Sequence, residues 1–210
     1  MSVPWEIISC AFLTAVLTLI WLYLEQGTAY SSNTTALAGQ AALLTTMAGA
    51  VGRWFADDPA LPAWWWAGVH TVPLAVMDLR RHRLPRCWVA SFAMGGVCLF
   101  AAVAAANHEA TRLVRAVLAA VCMWLVMRVV EWACAGQMGG GDTRLHAVLA
   151  LHTGWVSWNT LVVGFLAGSV LLGLTAGTTC LCRYRSLRSR IAAAPSLLAG
   201  AWLALVLAGP

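Results

Sequence analysis

The sequence contains no lysine and little charge of either sign. All 13 basic residues are arginine, only eight residues are acidic, and the charged fraction is 10%, against about 25% in an ordinary soluble domain. The hydrophobic fraction is 61%. This shortage of charge excludes a soluble globular domain and a disordered chain, and it indicates a polytopic membrane protein.

Several motifs of common enzymes and binding proteins are also absent. The seven cysteines form no CxxC pair, so a cysteine zinc module is excluded. The histidines show no HxxxH or HExxH spacing, and no serine lies in a Gly-x-Ser-x-Gly turn. We therefore expect no metal site. The net charge of +5 comes from arginines in short loops, a pattern typical of membrane topology, so we expect contact with a lipid bilayer and no nucleic-acid partner.

What the sequence does contain is a series of apolar segments separated by short linkers. Because backbone groups in lipid must be bonded internally, segments of this length predict helices. We expect an all-α bundle of about eight transmembrane helices, with two N-terminal helices in residues 1–60 and a six-helix core in residues 61–210. The segments are Ile7–Leu24, Ala36–Gly52, Leu61–Met77, Trp88–Ala106, Leu113–Ala135, Leu145–Ser157, Leu161–Cys182 and Ser196–Ala208.

The loop arginines predict the orientation of this bundle. With eight spans, nine loop arginines fall on one side of the membrane and three on the other. The positive-inside bias places the richer side in the cytoplasm. We therefore expect a multi-pass protein of the cytoplasmic membrane. The nine are Arg80, Arg81, Arg83, Arg86, Arg144, Arg183, Arg185, Arg188 and Arg190.

Two aspartates lie at the ends of apolar segments on that cytoplasmic side. Asp78 follows the third segment, and Asp142 precedes the sixth, directly after Gly139–Gly141. Two facing carboxylates repel each other, so one keeps its proton and the pair can act as general base and general acid. The glycines permit unusual dihedral angles and close approach of a substrate strand. Either aspartate alone could instead be a helix cap or an interfacial charge. Paired membrane carboxylates also occur in proton- or ion-coupled transporters.

Other charged residues have simpler interpretations. Arg128 and Glu131 are three residues apart in the fifth segment, a spacing that predicts an ion pair within one helix. His82 and His146 each follow an aspartate by four residues, so Asp142 and His146 could form a hydrogen bond.

The two aspartate motifs together resemble those of the prepilin peptidases, also called type IV leader peptidases, which are GxGD intramembrane aspartyl proteases. The aspartates are 64 residues apart, as in that family's helical layout. Near the C-terminus only a Pro and a Gly of the family's third motif remain. The resemblance covers about Leu61 to the C-terminus. The matching residues are Asp78, Leu84 and Pro85; Gly139, Gly141, Asp142, Arg144 and Leu145; and Pro195 and Gly200.

This resemblance implies a six-helix peptidase core with Asp78 and Asp142 as the catalytic pair and no cofactor. It implies prepilin or pilin-like substrates, cut at the cytoplasmic membrane boundary after a short basic leader. Glu25–Thr35 replaces the cysteine-rich loop of the long-form relatives, which implies a short form without N-methylation. The altered third motif leaves an inactive peptidase-like scaffold as an alternative. The residues expected to bind substrate are Gly139, Gly141, Pro85, Arg144 and Pro195.

Overall fold

The computed structural model describes residues 34–134, 139–181 and 192–209. These residues form seven helices and no strand, which confirms the all-α prediction. The predicted segment Ile7–Leu24 lies outside the described residues, so the count of eight stays a prediction. The helices are α1 (Thr34–Trp54), α2 (Leu61–Arg81), α3 (Arg86–Asn107), α4 (Ala110–Ala133), α5 (Gly140–Val156), α6 (Trp158–Leu181) and α7 (Ala194–Ala208).

Three of the described helices are long and apolar enough to cross a membrane. They are α3, α4 and residues Trp158–Thr178 of α6. Their exposed side chains are largely aliphatic or aromatic, as Trp124 and Trp132 of α4 illustrate. Large apolar side chains that face outwards along a whole helix are expected in lipid and not in water. The described chain is therefore that of a membrane protein.

The chain divides into two compact units, Met1–Val72 and Pro73–Pro210, with the boundary inside α2. In the first unit, Asp58 closes the turn between α1 and α2. Its carboxylate accepts hydrogen bonds from the Ala60 amide and from the Trp64 indole, both at 2.8 Å. The Trp64 ring stacks on Phe55 with centroids 5.0 Å apart. The division into residues 1–60 and 61–210 remains a prediction.

In the second unit, α4 packs closely against α5 because small residues face each other. A Cβ added to Gly154 would lie 2.5 Å from Cβ of Ala119, so only glycine fits at this contact. Arg115 of α4 then binds the end of α5. Its guanidinium donates to the carbonyls of Gly154 (2.8 Å) and Val156 (2.7 Å), and also to that of Trp155. These bonds satisfy carbonyls that have no partner within the helix.

The helix boundaries differ by a few residues from the predicted apolar segments, and two of these differences concern the aspartates. The third predicted segment ends at Met77, but α2 continues to Arg81. Arginines are favourable in the last turn of a helix, because their positive charge interacts with the negative end of the helix dipole. The residue after Arg81, His82, has a φ of 48° and is no longer helical. The sixth predicted segment begins at Leu145, but α5 already begins at Gly140. Asp78 and Asp142 are therefore helical residues and not loop residues.

Candidate active site

Asp78 lies in the last turn of α2 with only 5% of its surface exposed. Its Oδ2 accepts a hydrogen bond of 2.7 Å from the main-chain N–H of Ala194, the first residue of α7. The residue before this helix, Ala193, has no side chain that could cap it. Asp78, which is far from α7 in the sequence, therefore supplies the hydrogen-bond acceptor that the N-terminus of α7 requires.

Asp142 lies in the first turn of α5, partly buried, within electrostatic reach of Asp78. Burial disfavours its charged form, and the negative charge of Asp78 disfavours it further. Together these effects raise the pKa of Asp142 from 3.8 to about 6. Both aspartates lie outside the apolar segments Leu61–Met77 and Leu145–Ser157. The structure thus brings the two predicted catalytic carboxyl groups together.

The two carboxyl groups have different surroundings. Burial raises the pKa of Asp78, but hydrogen bonds from the Ala194 and Ala193 amides and the nearby charge of His82 oppose that rise. Among the described residues, no donor bonds to the carboxyl group of Asp142. The pair therefore consists of one carboxyl group with amide donors and one without.

The glycines before Asp142 provide space and not unusual dihedral angles. Gly139 has an extended conformation with φ of −75° and ψ of 134°, and the only described glycine with positive φ is Gly209. Gly139, Gly140 and Gly141 therefore do not use the unusual dihedral angles that glycine permits. A Cβ added to Gly139 would lie 3.5 Å from Oδ2 of Asp142, and one added to Gly141 would lie 3.2 Å from Cβ of Leu84.

This close approach at Gly141 brings the two sequence motifs into contact. Leu84 belongs to the short segment after α2, and Pro85 follows it as the N-cap residue of α3, with an extended backbone. Proline fixes φ and favours an extended residue before it. The Leu-Pro pair of the first motif therefore packs its leucine against the glycine of the second.

The remaining predicted substrate-binding residues, Pro195 and Arg144, have different surroundings. Pro195 lies in the first turn of α7, next to the residue whose amide binds Asp78. Arg144 is exposed, and its guanidinium interacts electrostatically with Glu131. A role of any of these residues in substrate binding stays a prediction.

Sequence reasoning missed the Ala194 amide and Thr143. The predicted ion pair of Arg128 and Glu131 is confirmed, with a distance of 3.0 Å. Glu131 Oε2 also accepts a hydrogen bond of 2.9 Å from the buried Thr143 hydroxyl, next to Asp142. The only available signal for Ala194 was the following proline, which is frequent in the first turn of a helix.

The histidines near the site bond to the main chain. His146 Nδ1 lies 2.8 Å from the main-chain oxygen of Asp142, so the described hydrogen bond does not involve the carboxyl group. His82 donates its main-chain N–H to the Asp78 carbonyl at 2.8 Å. No group of three or more potential metal ligands occurs among the described parts of the chain.

The fold and this site together define an all-helical membrane protein with two interacting carboxyl groups at one end of its second unit. The model of the type IV leader peptidase family matches residues 65–177, just over half of the chain and including both aspartates. The chain therefore belongs to this family of membrane proteases. Comparisons with curated proteins and with solved structures gave no match.

Proposed function

We propose that this protein is an intramembrane aspartyl endopeptidase that removes the short basic leader from prepilin or pilin-like precursors. The observation that supports this most strongly is the proximity of Asp78 and Asp142. Burial, and then the charge of Asp78, raise the pKa of Asp142 to about 6. A pair that shares one proton at about pH 6 or below can both activate water and protonate a carbonyl group. The match to the leader peptidase family supports the same reaction class.

In the proposed reaction, Asp78 is the general base and Asp142 is the general acid. The amide donors at Asp78 favour its charged form, whereas Asp142 retains the proton. Asp78 removes a proton from water, whose oxygen forms a bond to the scissile carbonyl carbon. Asp142 gives its proton to the carbonyl oxygen. Collapse of this diol intermediate breaks the C–N bond. The leaving nitrogen takes up the proton held by Asp78, and one hydroxyl group returns its proton to Asp142 as the C=O bond of the new carboxyl group forms.

The position of the pair supports cleavage at the membrane boundary. Asp78 lies at the end of α2 and Asp142 at the start of α5. In the predicted eight-span topology both belong to the side that carries nine of the loop arginines. The positive-inside bias makes this side cytoplasmic. A precursor with a basic leader and an apolar helix would keep its leader on that side and present the intervening bond to the carboxyl groups. A transporter would place its central acidic groups nearer the bilayer midplane.

The first experiment is a cleavage assay with the full-length protein in liposomes and several prepilin-type precursors. We expect a single cut at the leader boundary, without a methyl group on the new N-terminus and without inhibition by a chelator. Asp78→Asn and Asp142→Asn should each reduce the rate by at least about 10³-fold, because each removes a group essential to proton transfer. Asp57→Asn is the matched control, since Asp57 is exposed in the turn after α1.

Two results would contradict the proposal. Retained cleavage in either active-site variant would exclude the carboxyl pair as the catalytic groups. Absence of cleavage by folded wild-type protein with every precursor would favour an inactive scaffold or a transporter. Ion flux through the same liposomes would then separate those two alternatives.

A further inference from the structure

Glu131 connects the end of α4 with the beginning of α5. One of its carboxylate oxygens, Oε2, accepts hydrogen bonds from Arg128 Nη1 at 3.0 Å and from Thr143 Oγ1 at 2.9 Å. The other, Oε1, would lie 3.4 Å from a Cβ added to Gly140. The same carboxylate therefore lies against the first turn of α5 at two places, Gly140 and Thr143, on either side of Gly141 and Asp142.

The surroundings of this carboxylate make it a suitable anchor. The side chain of Glu131 is 22% exposed and that of Arg128 is 55% exposed, whereas Thr143 is 1% exposed. Arg144 adds a second positive charge nearby. Hydrogen bonds to a charged acceptor are about twice as strong as neutral ones. The Thr143 hydroxyl is therefore held at a fixed place, and Asp142 is its direct neighbour in the chain.

We propose that Glu131 is a positioning residue, which holds the first turn of α5 through Thr143 and so sets the place of Asp142 relative to Asp78. This inference rests on the proposed peptidase function. Three contacts then define the geometry of the pair. The Ala194 amide fixes Asp78, Leu84 packs against Gly141, and Glu131 binds the turn from the α4 side.

Chemical rates depend strongly on such placement, since a displacement of about 1 Å can reduce a rate about 10²-fold. Loss of the Glu131–Thr143 bond should therefore lower kcat and leave KM nearly unchanged, because neither side chain is a proposed substrate contact. A purely structural role would instead reduce the amount of folded protein without changing kcat of the folded fraction.

The test compares four variants of the full-length protein in the liposome assay. Glu131→Ala removes the acceptor, and Thr143→Val removes the donor at nearly constant volume. We expect each to lower kcat at least about tenfold with KM within about twofold. Thr143→Ser keeps the hydroxyl group and should restore most of the rate. Glu109→Ala is the matched control, because Glu109, the N-cap residue of α4, forms an i,i+3 ion pair of 3.2 Å with Arg112.

A second readout does not depend on activity. Dicyclohexylcarbodiimide labels protonated buried carboxyl groups. The extent of Asp142 labelling, measured as a function of pH, therefore gives the apparent pKa of this group. We expect a midpoint of about 6 for the wild type. In Glu131→Ala and Thr143→Val, a displaced and rehydrated Asp142 should titrate closer to its ordinary 3.8, whereas Glu109→Ala should match the wild type.

The two readouts separate this inference from the proposed function. If the wild type cleaves and Glu131→Ala and Thr143→Val keep its kcat, or Thr143→Ser is as slow as Thr143→Val, the positioning role is wrong although the peptidase function stands. If the wild type cleaves no precursor, the function is wrong. The labelling midpoint then decides, since a shift supports the positioning role and an unchanged midpoint excludes it.

Discussion

At the scale of single residues, the site places two chemically identical side chains in different surroundings. Asp78 binds the amide of Ala194, whereas Asp142 has its pKa raised to about 6 by burial and by the charge of Asp78. Two interacting carboxyl groups titrate as a pair, and this asymmetry favours the state in which Asp142 carries the shared proton. The asymmetry has consequences for both rate and stability.

The first consequence is the pH dependence of cleavage. The pair works with one proton, so kcat/KM should fall on the alkaline side as Asp142 loses that proton, with a midpoint near 6. On the acidic side, kcat/KM should also decrease as Asp78 becomes protonated. The measurement is kcat/KM in detergent between about pH 4 and 8, because this ratio reports the free enzyme. A rate that stays constant through pH 6 and rises only above it would contradict the assignment.

The second consequence concerns stability. The pKa of Asp142 is higher in the folded protein than its ordinary 3.8, so its ionisation destabilises the fold progressively as the pH rises from about 4 through 6. Asp142→Asn removes this charge and should stabilise the protein at pH 7 by up to about 3 kcal/mol, the equivalent of about two pKa units. At pH 4 the gain should vanish. Melting temperatures of the two proteins in one detergent check this, and an equal difference at both pH values would exclude the electrostatic origin.

At the scale of helices, α6 and α7 cross where their backbones touch. A Cβ added to Gly200 would lie 2.2 Å from the main-chain nitrogen of Gly168, a distance that no side-chain movement can relieve. Glycines at such crossings let membrane helices pack closely. The same helix, α7, begins at the residue that donates a hydrogen bond to Asp78.

Substitution at this crossing should therefore affect both stability and activity. Gly200→Ala should destabilise the protein by about 1–3 kcal/mol, the usual cost of overpacking, and should slow cleavage because α7 shifts. Gly173→Ala is the matched control, since nothing lies within 4 Å of its added Cβ on α6. The melting temperature and kcat of both variants are the measurements. Equal melting temperatures would show that the crossing is looser than the structure indicates.

At the scale of the whole molecule, composition and spacing predicted more of the helices than of the site's internal contacts. Apolar segments and two motif aspartates are properties of the residues themselves, and the ion pair of Arg128 and Glu131 follows from helical periodicity. The partners of Asp78 and Glu131 do not follow in this way. Ala194 contributes only its main-chain amide, which every residue other than proline possesses. Thr143 is an ordinary helical residue that becomes informative only when α4 lies beside it.

The ends of the helices also depend on contacts that the local sequence does not reveal. Hydropathy places the start of the sixth segment at Leu145, whereas α5 begins at Gly140 because Glu131 and Leu84 pack against its glycine-rich first turn. Glycine is unfavourable within a helix by about 1 kcal/mol relative to alanine. Tertiary contacts therefore determine the conformation of the residues that carry Asp142.

The hydrogen bond from Ala194 to Asp78 joins residues 116 positions apart, and this separation has a consequence for biosynthesis. A ribosome adds Asp78 and then Asp142 well before it adds Ala194. Until α7 has been synthesised and has inserted, the nascent chain holds both carboxyl groups without the amide that binds one of them. We therefore expect the two carboxyl groups to acquire their different surroundings only after α7 has docked.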